Sequence, residues 1–105
     1  MLDRLITSYF ICDEIKAQNY ELSLHADEAR IEEGLTILQI EHALSRCEIV
    51  EHYHNDPRGE SCLALGINQK TIPIHVVCGI NRSGHLILVT IYIPTMPKWL
   101  DPYKR

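Results

Sequence analysis

The side chains best placed for acid–base chemistry lie in the last third of the chain, in TIPIHVVCGINRSGHLILVTIYIP. Two alternating runs, IPIHVVCG and LILVTIYI, flank the separator INRSGH, a pattern that reads as a β-hairpin. A turn centred on Arg82 and Ser83, with either two or four loop residues, pairs positions whose numbers sum to 165. That register sets His75 directly opposite Thr90, with Tyr92 two residues farther along the same face. An imidazole, a hydroxyl and a phenol on one sheet face suit general acid–base work, because histidine titrates near neutrality and tyrosine can donate or orient. The structural alternative is a cross-strand bond between His75 and Thr90, with Tyr92 filling an edge. The opposite face, Ile87, Val89, Ile91 and Ile93, should bury against helices. A slip of one residue would carry His75 off the shared face.

Other candidates are more loosely specified. His52 and His54 alternate on one strand, a spacing that two metal ligands can use, but no third ligand is specified beyond His25 or Cys62. Solvated histidines are the simpler account, so the residues ask for no metal and no cofactor. His25 and Arg30 frame the segment HADEAR. Arg30 is a bidentate donor suited to phosphate or carboxylate, and equally a partner for Asp27 or Glu33 on its own helix. Phosphate-cradling glycine loops, GxSxG elbows and HExxH runs are absent. The carboxylates Glu28, Glu32 and Glu33 read as a solvated helix face.

The elements that must position these groups divide the chain into helices first and strands second. Residues 2–18 form an amphipathic stripe through Leu2, Leu5, Ile6, Tyr9 and Phe10. Tyr20, Leu22 and Leu24 alternate with polar residues as a short strand. HADEARIEEG is a short helix stopped by Gly34. Thr36 and Gln39 form a capping-box pattern, with Leu35 and Ile40 as its hydrophobic staple, and predict a helix over about 37–46. Beyond it EIVEHYH, SCLALGI, IPIHVVCG and LILVTIYI follow in succession with short connections, which implies antiparallel hairpins. The tail PTMPKWLDPYKR is expected to lie over a sheet edge through Trp99. The sequence is thus expected to form one α+β domain: an N-terminal helix over 1–19, a short strand and two helices over 20–46, antiparallel strands over 47–93 and a tail over 94–105. Its helices are expected on one face of a four- to five-stranded antiparallel sheet.

Composition narrows the function classes. The chain has 105 residues and a formal net charge of −4, which argues against non-specific DNA coating. Residues 1–52 carry 4 basic and 11 acidic side chains, whereas residues 53–105 carry 6 basic and 3 acidic. The second half therefore remains free to present a weakly basic face. No apolar run approaches a membrane span, and MLDRLITSYFICDEIK lacks the pattern of a signal peptide. Cys12, Cys47, Cys62 and Cys78 contain no CxxC pair, so reduced thiols and a cytoplasmic location are expected.

Taken together, HADEAR, ALSRCEIVEHY, the IHVV run and TIYIP followed by a Trp resemble a small bacterial family, domain of unknown function 4258. The resembling positions are His25, Ala26, Arg30, Tyr53, His75, Val76, Val77, Thr90, Tyr92, Pro94 and Trp99, over about residues 20–99. Its element order is similar to that of RelE/ParE-type toxins. The resemblance implies a RelE-like fold and a toxin-like protein with a small antitoxin-like partner. It further implies metal-independent RNA cleavage, in which a base activates the ribose 2′-hydroxyl. Under it His75 is the general acid or base, Tyr92 assists, Thr90 and His25 support, and Arg30 and Arg82 bind phosphate. The competing expectation is a non-catalytic protein-binding module of the same fold, which uses a sheet edge or apolar groove. Ribonuclease toxins of this type tend to be basic, and this chain is not.

Overall fold

The computed structural model describes residues 6–57, 59–95 and 101–103. Leu2, Leu5 and Trp99 lie outside the described residues, as does the tail contact expected of Trp99. The first helix, α1, spans Ser8–Lys16, because the Thr7 side chain accepts the Phe10 amide and caps its start. A short strand β1, Tyr20–Leu22, leads into α2, Leu24–Glu32. Gly34 follows at φ +73, and the Leu35 amide returns to the Arg30 carbonyl at 2.8 Å, the left-handed stop that glycine accommodates without a Cβ penalty. Helix α3, Ile37–Leu44, opens with the expected capping box of Thr36 and Gln39. Strands β2 (Glu48–Tyr53), β3 (Ser61–Ile67), β4 (Pro73–Ile80) and β5 (Leu86–Tyr92) complete the order.

The sheet has five strands in the order β1-β5-β4-β3-β2. The last four are antiparallel neighbours, as the short connections require, but β1 pairs with β5 in parallel. The sheet is therefore mixed, not purely antiparallel. A parallel pair needs a long crossover, and here two helices and three strands intervene. Ile11 and Ile15 of α1, Ala26 of α2 and Ile40, Ala43 and Leu44 of α3 form one buried cluster with Cys62, Ala64, Val76, Leu86, Leu88 and Ile91. Tyr20 ties β1 to α3, its hydroxyl donating to Glu41 at 2.5 Å. Burial, then this bond to a carboxylate, raises the phenol's pKa above its ordinary value.

Helix α2 runs along the second half of β5. Ser23 caps α2 by accepting the Ala26 amide and also donates its hydroxyl to the Val89 carbonyl at 2.9 Å. At the far end the Ile93 amide donates to Glu33 at 3.2 Å. These bonds occupy backbone groups of β5 and of the residue just after it, beyond the reach of the three-residue β1.

Two of the four thiols lie in the core and two, Cys12 and Cys47, are half-buried. Cys62 and Cys78 pair directly across β3 and β4 and are fully buried. Burial, reinforced by the neighbouring Cys62 and Cys12, pushes the Cys47 thiol from 9.0 up to about 12. The pKa of the Cys78 thiol is raised by hydrogen bonding with the free Cys62 thiol and by burial. Little Cys47 is thiolate at pH 8, and burial shields Cys62 and Cys78, so iodoacetamide should leave all three unmodified in the native chain. Mass spectrometry after alkylation, with and without denaturant, checks this. Because the folded Cys47 and Cys78 thiols hold their protons longer than unfolded ones, their contribution to stability is complete below pH 9 and falls as the pH climbs above it.

Candidate functional site

The hairpin that positions His75 is built on asparagine. The Asn81 amide donates to the His85 carbonyl at 2.8 Å, the Gly84 amide returns to Asn81, and the Asn81 side chain accepts the Ser83 and His85 amides. Gly84, at φ +82, supplies the left-handed third position of a three-residue loop. Such a loop sets Ile80 opposite Leu86, one residue away from the expected register. A second shift follows at a bulge between Val77 and Cys78 on β4, where Val89 is the extra residue of β5. The two shifts act in the same direction, and two steps restore the face. His75 therefore lies opposite Tyr92, and Thr90 opposite Val77.

The expected trio does share one sheet face, with its pairing exchanged. The bulge also corrects the opposite face. Leu86, Leu88 and Ile91 are the β5 residues buried in the core, while Ile87 and Val89 line a recess on the outer face with Val77 and Gly79.

His75 is 0% exposed. Its Nδ1 lies 3.1 Å from the Tyr92 hydroxyl and its Nε2 2.7 Å from the Pro102 carbonyl oxygen. The two rings meet edge-on, with centroids 5.2 Å apart at 71°. A carbonyl only accepts, so Nε2 carries the proton, and in the neutral ring Nδ1 accepts from Tyr92. Residues 101–103 thus cross the outer face and are held there by His75.

The remaining candidates are not brought to this point. Arg30 donates to Asp27 at 2.8 Å and to the Leu35 carbonyl at 3.2 Å, closing the end of its own helix. His25 is exposed on α2. Arg82 is exposed in the β4–β5 loop, seven residues along from His75 and hence about 20 Å away at the other end of the strand. Lys70, the other described cation of the second half, is in the β3–β4 loop at the opposite end of β4. The weakly basic face expected of this half is not assembled among the described residues.

Sequence reasoning missed the acidic neighbours. Glu48 and Glu51 pair with Leu65 and Leu63, which pair in turn with His75 and Val77, so both carboxylates share the His75 face. The Tyr53 hydroxyl donates to Glu51 at 2.6 Å. Beside this row a cleft of about 510 Å³ is lined by His42, Arg46, Glu48, Leu65, Ile67 and Tyr103. Alternation within EIVEHY would have found Glu51 and Tyr53 on one face; Glu48 joins them only through the bulge between Ile49 and Glu51.

His52 and His54 stack at 5.3 Å, and His54 Nδ1 lies 3.2 Å from Glu60. Among the described residues no group of three or more His, Cys, Asp or Glu side chains is arranged to hold a metal ion. No described helix is long and apolar enough to cross a membrane.

No match was found among curated proteins or among solved structures. The family pattern named domain of unknown function (DUF4258) matches residues 22–93, from the end of β1 through β5. With the stretch that holds α2, α3, His75, Thr90 and Tyr92 inside that match, the chain belongs to this family.

Proposed function

We propose that this chain is a protein-binding module that works without catalysis, the toxin-like member of a bacterial toxin–antitoxin pair, and that its partner is a small antitoxin-like protein. The cytoplasm is the compartment that suits four free thiols. The order of helices followed by antiparallel strands is similar to the RelE/ParE arrangement and supports that kinship. One observation carries the non-catalytic reading: His75, the best candidate base, is fully buried with both ring nitrogens engaged. A general base must come within hydrogen-bond reach of the proton it removes. The acidic row of Glu48 and Glu51 also disfavours a phosphate backbone on this face.

A second reading, a metal-independent endoribonuclease, draws support from the convergence of His75, Thr90 and Tyr92 on one face. It requires residues 101–103 to leave His75, and it requires Arg30, Arg82 and His25 to serve a site none of them now adjoins.

The test is to co-express the chain with the product of any short reading frame that adjoins its gene and, separately, to incubate the pure chain with RNA in EDTA. The expected result is a stoichiometric complex and intact RNA. RNA cleavage in EDTA that is abolished by Tyr92→Phe would overturn the non-catalytic reading. Absence of any complex would overturn the binding reading.

A further inference from the structure

Helix α2 is built the wrong way round for a helix that serves only its own core. Ala26 is its fully buried residue, while its two large aliphatic side chains face water, Leu24 at 76% and Ile31 at 61% exposure. Seven residues apart, they fall on one side of the helix, two turns from each other. Glu28 lies between them and Glu32 beside them, all exposed. Asp27, on the opposite flank, is already held by Arg30. The outward face of α2 is thus a short aliphatic stripe bordered by free-standing carboxylates, in the half of the chain that carries 11 acidic and 4 basic residues.

We infer that this face docks a basic amphipathic helix of a protein partner, with aliphatic side chains against Leu24 and Ile31 and Lys or Arg opposite Glu28 and Glu32. The inference rests on the binding-module reading and names its surface and the chemistry of its partner. Charge decides among occupants. A second copy docked through the same face would set Glu28 and Glu32 against their own counterparts. An anionic bilayer or an RNA would be repelled. A basic segment gains from both features, and the nine residues of α2 give it about 13 Å of contact, two to three turns.

The probe is a fluorescein-labelled amphipathic peptide of leucine and lysine, with its glutamate-for-lysine counterpart, titrated into the full chain and followed by anisotropy and amide chemical shifts. The lysine peptide should bind and shift the amides of residues 24–33; the glutamate peptide should not bind. Leu24→Ser with Ile31→Ser, and separately Glu28→Lys with Glu32→Lys, should each weaken binding about ten-fold or more. All four side chains are exposed, so the fold tolerates these changes. Ile67→Ser, at an exposed aliphatic on β3, should leave binding unchanged. Shifts that map elsewhere, or affinity indifferent to either double variant, would overturn the proposal, as would a dimer of the chain that the Leu24→Ser, Ile31→Ser pair dissolves. A genuine small partner that still co-purifies with both double variants sinks this face and leaves the binding module standing. No complex with the wild-type chain sinks the module itself.

Discussion

Gly66→Ala is expected to destabilise the chain by about 3 kcal/mol or more, the upper range for overpacking a core. A Cβ at Gly66 would come within 2.0 Å of the Ala43 carbonyl oxygen and 2.5 Å of its carbon. Both are backbone atoms of α3, so no side-chain rotation relieves the contact. Ala43 and Leu44 are core residues of that helix, and the sheet face beneath them carries Ala64 and Cys62. Moving α3 away to admit one methyl group would open this cluster. Each kcal/mol lowers the midpoint of a domain this size by about 4–8 °C, so thermal or urea unfolding reads the effect directly. An unchanged midpoint would mean that α3 does not approach β3 this closely.

His75→Ala should cost about 3 kcal/mol, through the cavity left by a fully buried ring and the loss of its hydrogen bonds to Tyr92 and Pro102. The change should also release residues 101–103, raising hydrogen exchange at the Asp101 and Tyr103 amides. A residue kept for catalysis alone behaves differently: its replacement removes activity and leaves stability near or above the wild-type value. Denaturation of His75→Ala beside Thr90→Val therefore separates the two roles. Thr90 is half-buried opposite Val77, and its replacement should cost well under half as much. Equal stabilities for wild type and His75→Ala would show that the imidazole is not a structural latch.

Local chemistry made much of this legible in advance. The Thr36 and Gln39 capping box acts within four residues, and it starts α3 at the expected place. Gly34 stops α2 for a reason contained in its own backbone. SCLALGI is strand from end to end, and the family pattern covers residues 22–93 of the stretch that carries the resemblance, leaving Pro94 and Trp99 outside it. The hairpin register was less accessible. The signal for its loop was present as Asn81 three residues before Gly84, an arrangement in which the side chain organises the turn and glycine closes it. The bulge at Val89 had no such local mark, because the Val89 carbonyl is engaged by Ser23, 66 residues away.

Amino-acid sequence by itself settled the start of α3, the stop of α2 at Gly34, the run of strands and the α+β class, since each depends on residues a turn or a hairpin apart. In contrast, α1 starts only at Ser8, and Leu24 opens α2 instead of ending β1. Tertiary structure alone decided that β1 joins β5 in parallel, that two register shifts return His75 to the face of Tyr92, and that the His75 ring is closed over by Pro102. It also decided that Arg30 serves its own helix and that Leu24 and Ile31 look outward. These are contacts between segments far apart along the chain, chosen by which backbone groups and apolar surfaces remain unsatisfied once the local elements have formed. Composition and periodicity name the groups that need partners; only the assembled fold chooses among the partners on offer.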